Sequence, residues 1–179
     1  MRRIIAAVLV LAGVSAFAQS RPTPKTVPPP AITNPVTVRG KYVTLATGTS
    51  APAATPGARV SLLVRVTPGP KIHLYAPGQD GYLAIDLSVV DNPAFSAKAA
   101  VYPPPKPYTF TPTSETVKVY SDPFLLHADV VLASTDDLKR RAASGDTLTI
   151  VGAFEYQACD DAVCYRPETL PVQWKIKLR

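Results

Sequence analysis

The two cysteines of the chain lie close together near its carboxyl end, and they are the residues best suited to do chemistry. Cys159 and Cys164 have four residues between them in the stretch YQACDDAVCYRPET, which runs from Tyr156 to Thr169. Such a pair can form a structural disulfide, ligate a metal ion or exchange disulfides with another protein. The function of the chain depends on which of these roles applies.

A purely structural disulfide would contribute little to this chain. A bridge between Cys159 and Cys164 closes a loop of about six residues, for which the loop-entropy model gives about 2 kcal/mol, against about 4 to 5 kcal/mol for a long loop. A folded region of about 140 residues can bury an adequate core without it. Tight hairpin disulfides are nevertheless common in exported proteins, so this alternative stays open.

A metal site has weaker support, because a structural zinc ion needs four ligands and the chain has two sulfur ligands to offer. The two histidines, His73 and His127, lie far from the cysteines in the sequence. A copper(I) dithiolate would suit soft sulfur ligands, but we expect no metal and no other cofactor.

Thiol–disulfide exchange is the third alternative. A disulfide in a very small loop opens easily, and after reduction the two sulfurs stay neighbours, so one resolves a mixed disulfide formed at the other. Asp160 and Asp161 disfavour a nearby thiolate, whereas Arg166 favours one. We therefore expect these three residues to modulate the reactivity of the pair.

The first 18 residues have the features of a secretory signal peptide. A basic start at Arg2 and Arg3 precedes an apolar run over residues 4–14 and a small-residue cleavage pattern at residues 16–18. The apolar run is shorter than the roughly 20 residues of a membrane span. We therefore expect an exported, soluble chain in the periplasm, where disulfides form and persist.

Charge and composition limit the possible binding partners and indicate where the folded domain begins. Loss of Arg2 and Arg3 lowers the formal net charge from +6 to +4, and without clustered basic residues we do not expect binding to nucleic acid. Residues 19–35 are rich in proline and threonine and are expected to form a flexible linker. A folded domain is expected over residues 36–179, with a long loop at residues 47–58.

Hydrophobic residues alternate with polar ones along most of this domain. A period of two is typical of antiparallel strands with one buried face, and short turns separate the runs. One short helix is predicted over residues 134–144, with Ser or Thr as its cap. The pattern predicts an all-β, two-sheet sandwich of about seven to nine strands. The clearest alternating runs are RVSLLVRVT, YLAIDLSVV, PFLLHADVVL, TLTIVGAFEY and PVQWKIKL.

The stretch around the cysteines resembles the signature of the amino-terminal domain of DsbD-type thiol:disulfide interchange proteins. The shared features are Tyr-Gln, two closely spaced cysteines, and PET after them. Similarity continues upstream in VTPGPKIHLYAPG, VYPPPKPYTF and TVKVYSDPFLLHADVVL. The resemblance covers residues 36–178.

The resemblance implies an immunoglobulin-like sandwich that carries electrons from a membrane thiol reductase to periplasmic proteins of thioredoxin fold, as in cytochrome c biogenesis. Cys164 corresponds to the cysteine that forms mixed disulfides, and Cys159 to the one that resolves them. Because the chain ends at Arg179, we expect a free-standing, monomeric module whose membrane reductase is supplied by another chain.

Family members also place an aromatic ring over the disulfide in a cap loop. The corresponding segment here is KPYTF, with Tyr108 or Phe110 as the cap, and His73 and Tyr75 correspond to aromatic residues that line the site. The segment differs from the family's acidic cap because no carboxylate stands beside these aromatics in the sequence.

The competing hypothesis is a non-enzymatic immunoglobulin-like adaptor with a structural disulfide. The reduction potential separates the two readings, since inert structural bridges have potentials below about −300 mV.

Overall fold

A computed structural model describes residues 30–110 and 114–179. The predicted signal peptide and residues 19–29 of the predicted linker lie outside the described residues. The described part contains one helix and thirteen strands: β1 (Thr33–Arg39), β2 (Val43–Thr49), β3 (Ala53–Ala54), β4 (Arg59–Pro68), β5 (His73–Tyr75), β6 (Asp86–Val89), β7 (Phe95–Ala97), β8 (Lys106–Phe110), β9 (Glu115–Tyr120), β10 (Phe124–Leu132), α1 (Asp136–Ala143), β11 (Thr147–Tyr156), β12 (Ala158–Cys159) and β13 (Glu168–Leu178).

Alternating burial explains the long strands. In β13 every second side chain from Leu170 to Leu178 is buried, and the residues between them are exposed. The same alternation holds along β10 and most of β11. The predicted period of two is therefore confirmed in the strands that carry most of the core.

Two sheets pack face to face around that core. One has the strand order β1-β2-β4-β10-β7, and the other has the order β3-β13-β11-β6. The indole Nε1 of Trp174, on β13, donates a hydrogen bond to the carbonyl oxygen of Leu63, on β4, at 3.1 Å. The predicted all-β, immunoglobulin-like sandwich is confirmed.

A third, smaller sheet stands at one end of the molecule and carries the cysteines. Its order is β12-β5-β9-β8. It has its own small apolar cluster, formed by Tyr75, Val117, Val119 and Cys159. Cys159 thus packs in this small cluster, whereas Leu74, Tyr120 and Ala158 of the same sheet belong to the main core.

Several boundaries differ from the sequence prediction. The thirteen strands exceed the predicted seven to nine because five of them are only two to four residues long, too short for a visible alternation. Strand β1 begins at Thr33, inside the predicted linker, and β2 and β3 occupy part of the predicted loop at residues 47–58. Leu83 is 44% exposed, because β6 begins only at Asp86.

The single predicted helix is present. Helix α1 begins after Thr135, whose hydroxyl accepts a hydrogen bond from the Leu138 backbone amide at 3.3 Å, as expected for an N-cap residue. Leu138 is buried and fixes the helix on the sandwich. Within residues 30–110 and 114–179 no helix is long and apolar enough to cross a membrane.

Candidate functional site

Cys159 and Cys164 form a disulfide across a tight hairpin. The two residues face each other as an antiparallel pair with their Cα atoms 4.0 Å apart. Backbone hydrogen bonds flank the pair, from Asp160 N to Val163 O at 2.9 Å and from Tyr165 N to Ala158 O at 2.8 Å. The backbone therefore holds the two sulfurs together independently of the bond between them.

The side chain of Asp160 organises the four residues between the cysteines. Its carboxylate accepts hydrogen bonds from the backbone amides of Ala162 and Val163, both at 2.8 Å, and from the Tyr165 hydroxyl at 2.6 Å. The bond from Tyr165, followed by those from Val163 and Ala162, lowers the Asp160 pKa to about 2. Asp160 is consequently an ionised anchor of the turn at neutral pH.

The two sulfur-bearing residues differ sharply in exposure. Cys159 is 1% exposed, because β12 is paired with β5, where His73 stands opposite it. Cys164 lies just beyond this pairing and is exposed. An attacking thiol can therefore reach Cys164 more easily than Cys159.

Aromatic rings surround the exposed cysteine. The Tyr75 hydroxyl is 3.8 Å from Cys164 Sγ, and the Tyr75 and Tyr82 rings are 4.2 Å apart. His73 lies between Tyr75 and Tyr108, with ring centroids at 5.8 and 4.4 Å. His73 and Tyr75 both line the pocket beside Cys164, and their role in exchange stays a prediction.

The segment with the two candidate cap residues forms β8, which pairs with β9 beside the cysteine hairpin. The Tyr108 hydroxyl donates a hydrogen bond of 2.5 Å to Asp161, and Phe110 lines the same pocket as Cys164. The sequence showed no carboxylate beside these rings, but the fold supplies two. Asp161 reaches Tyr108 across the hairpin, and Glu115 stands directly opposite Phe110 in the β8–β9 ladder.

These side chains enclose a pocket of about 230 Å³ that opens beside the disulfide. Three residues that were not expected from the sequence also line it: Tyr82, Glu115 and Val117. The register of the β8–β9 hairpin would have revealed Glu115 and Val117, opposite Phe110 and Tyr108. We define the sulfur pocket by its lining residues: His73, Tyr75, Tyr82, Tyr108, Phe110, Glu115, Val117, Asp160, Ala162, Val163 and Cys164.

Burial and hydrogen bonding set the protonation of the pocket. Desolvation lowers the His73 pKa, against the opposing charges of Asp161 and Asp160, so the imidazole is neutral at pH 7. Burial raises the Tyr75 pKa. Hydrogen bonds to Asp161 and Glu115 raise the pKa of Tyr108 and Tyr82, respectively, to about 12. All three tyrosines are hydrogen-bond donors at neutral pH.

Arg166 does not line the sulfur pocket. It lies on the other flank of the hairpin, with Lys41, Tyr42 and Tyr165. Its effect on Cys164 stays a prediction. Among the residues that the structure describes, no group of three His, Cys, Asp or Glu side chains converges in a way that could hold a metal ion.

The two ends of the YQAC…PET signature, Tyr156 and Glu168, contact each other at the base of the hairpin. The Tyr156 hydroxyl donates a short hydrogen bond to the Glu168 carboxylate, and the same carboxylate accepts from the Lys41 backbone amide at 3.1 Å. Tyr156 and Glu168 are opposite each other in the β11–β13 ladder. This contact fixes the base from which the hairpin projects.

Comparison with known proteins agrees with this fold. A crystal structure of the N-terminal periplasmic domain of ScsB from Proteus mirabilis matches the fold with a TM-score of 0.50 and 13% sequence identity. The match covers 80% of this chain and 51% of the ScsB chain. No match was found among curated proteins. The family model for the N-terminal domain of the thiol:disulfide interchange protein DsbD matches residues 43–174, and the chain therefore belongs to the DsbD N-terminal domain family.

Proposed function

We propose that this chain transfers electrons in the periplasm by thiol–disulfide exchange at Cys159 and Cys164. The observation that supports it best is the asymmetry of the pair: Cys164 is exposed at a pocket, whereas Cys159 is 1% exposed. A disulfide that serves only to stabilise a hairpin does not need a pocket beside one of its sulfurs. Exchange, in contrast, requires access to one sulfur along the axis of the bond.

Reduction of the pair would proceed in two displacements. A partner thiolate attacks Cys164 Sγ, the intramolecular disulfide breaks, and its electron pair passes to Cys159, which takes up a proton. The second thiolate of the partner then attacks the partner's own sulfur in the mixed disulfide and releases Cys164. Two electrons pass to this chain, and the partner becomes a disulfide. In the opposite direction Cys164 attacks a partner disulfide and Cys159 resolves the product.

The pocket acts on the thiolate state of Cys164 in two opposing ways. The Tyr75 hydroxyl, 3.8 Å away, is placed to donate a hydrogen bond to a thiolate, which favours the charged form. The carboxylates of Glu115, Asp160 and Asp161 act against it. Arg166 would favour the thiolate only if its side chain moved toward Cys164.

The partners are thioredoxin-fold proteins, whose paired cysteines supply or accept the two electrons, together with a membrane thiol reductase. In this proposal the chain is a monomer when its partners react with it. No cofactor takes part, since the exchange needs only the sulfurs.

Trapping by single-cysteine variants tests this function. Cys159→Ala keeps the exposed thiol and lacks the resolving one, so it should accumulate a mixed disulfide with thioredoxin-fold proteins of a periplasmic extract. Cys164→Ala should trap nothing, and the double variant controls for non-covalent capture. Non-reducing electrophoresis followed by mass spectrometry identifies the adducts.

Each outcome of this experiment has a defined meaning. Adducts with Cys164→Ala alone would reverse the two roles. Absence of adducts from both variants, with a reduction potential below about −300 mV for the native pair, would replace the proposal with a structural disulfide in an immunoglobulin-like adaptor.

A further inference from the structure

The charge around the sulfur pocket is opposite in sign to that of the chain. The chain as a whole has a formal net charge of +6. The pocket lining, in contrast, includes the carboxylates of Glu115 and Asp160, and Asp161 is held at its rim by Tyr108. No lysine or arginine is among the described residues that line this pocket.

A hydrogen bond holds Asp161 in place, because the Tyr108 hydroxyl donates to its carboxylate. Hydrogen bonding to Asp161 and to Glu115 raises the pKa of Tyr108 and Tyr82, respectively, to about 12. These donors therefore persist throughout the pH range in which thiol exchange occurs. The neutral His73 does not offset the negative charge.

The remaining lining is largely apolar and partly accessible, because Tyr82 and Phe110 are half-buried, whereas Tyr75 is buried. The rings of Tyr75, Tyr82 and Phe110 form the walls. Val163, the residue before Cys164, is 53% exposed. When a partner brings its sulfur to Cys164, the residues that flank the partner's cysteine therefore contact both the aromatic rings and the carboxylates of the pocket.

We propose that the sulfur pocket selects exchange partners whose reactive cysteine is flanked by an apolar side chain and a cationic side chain. This inference rests on the proposed exchange function and names the chemistry of its partner. An attacking thiolate is negative and is repelled by the three carboxylates, so a cation next to it restores a favourable approach. An apolar neighbour removes aromatic surface from water in the pocket.

Three short peptides test this selectivity without knowledge of the natural partner: acetyl-Lys-Cys-Phe-amide, acetyl-Glu-Cys-Phe-amide and acetyl-Lys-Cys-Gly-amide. The oxidised protein is mixed with each under pseudo-first-order conditions, and appearance of its thiols gives a rate constant, which is normalised to the thiolate concentration of the peptide. At about 0.01 M salt, we expect the Lys-Cys-Phe peptide to react about tenfold faster than the Glu-Cys-Phe peptide, the lower end of known electrostatic rate effects. The Lys-Cys-Gly peptide should react several-fold more slowly than Lys-Cys-Phe.

Salt and matched variants show whether the pocket causes the preference. The ratio of the first two rates should approach one near 1 M salt, where the screening length falls from about 30 Å to about 3 Å. Glu115→Gln and Asp161→Asn should each reduce it. Asp91→Asn is the control, because it changes the net charge equally at an exposed residue after β6. This residue lies near the end of β11 that is away from the cysteine hairpin, so the ratio should stay unchanged.

Two results would overturn the inference while leaving the proposed function intact: equal normalised rates for the three peptides, or a charge preference that both pocket variants retain. Failure of all three peptides, together with failure of the dithiol dithiothreitol, to reduce the disulfide would instead overturn the exchange function, and this inference with it. Circular dichroism of each variant verifies that the compared proteins share one fold.

Discussion

Reduction of the Cys159–Cys164 disulfide should leave the protein folded and only moderately less stable. The bond closes a loop of about six residues, and the loop-entropy relation gives about 2 kcal/mol for a loop of that size. For a domain of about 150 residues, 1 kcal/mol corresponds to about 2 to 4 °C in the melting temperature. We therefore expect a decrease of about 4 to 8 °C on reduction.

The structure explains why the decrease in melting temperature on reduction should stay within this range. The main core lies between the two large sheets and does not include either cysteine. The hairpin itself keeps its backbone bonds at Asp160 and Tyr165, and Cys159 stays paired with His73. None of these contacts is made through the sulfur–sulfur bond, so we expect all of them to remain after reduction.

Thermal unfolding followed by circular dichroism, with and without a phosphine reductant, measures the effect. The variant with both cysteines changed to alanine, which the reductant cannot affect, provides the control for the reagent. Amide exchange at Tyr165 should remain slow in the reduced protein, because its hydrogen bond to Ala158 persists. Complete unfolding on reduction would refute the reasoning and would assign the disulfide to the structural class.

Three further predictions concern the cap, the turn and the sheet. The double change of Tyr108 and Phe110 to alanine should speed reduction of the disulfide by glutathione, because access limits exchange; an unchanged rate would exclude this segment as the cap. Hydrogen bonds lower the Asp160 pKa from 3.8 to about 2, so its support of the turn is complete above about pH 4 and is lost as the pH falls toward 2. An amide chemical-shift titration of Val163 would detect this change, and a transition near neutral pH would contradict it. Gly152→Ala should lower stability by about 1 to 3 kcal/mol in denaturant unfolding, since its Cβ would overlap a backbone carbonyl oxygen of β6; unaltered stability would show that β6 moves freely.

Elements whose signals lie in neighbouring residues could be predicted from the sequence. Alternating hydrophobic residues predicted the long strands β4, β10, β11 and β13, because a strand with one buried face has a period of two. Helix α1 was predicted from the Ser-Thr start that supplies its cap, Thr135. The spacing of the cysteines limited their chemistry to three roles, and the resemblance carried by the YQAC…PET signature pointed to exchange.

The residues that surround the sulfurs could be identified only from the fold. His73 is opposite Cys159 because β5 pairs with β12, and Glu115 reaches the pocket because it is opposite Phe110 in the β8–β9 ladder. Strand β3, which pairs in parallel with β13, lies in a segment rich in alanine, proline and glycine. This segment has no alternation of hydrophobic and polar residues that would predict a strand.

This difference arises because the hydrophobic period of a strand depends on neighbouring residues, whereas its pairing partner and register depend on contacts between distant parts of the chain. The unequal exposure of the two cysteines is an effect of this kind. Cys159 is buried by the pairing of its strand with β5, and Cys164 stays exposed because it lies beyond that pairing. The third sheet therefore buries Cys159 and leaves Cys164 accessible.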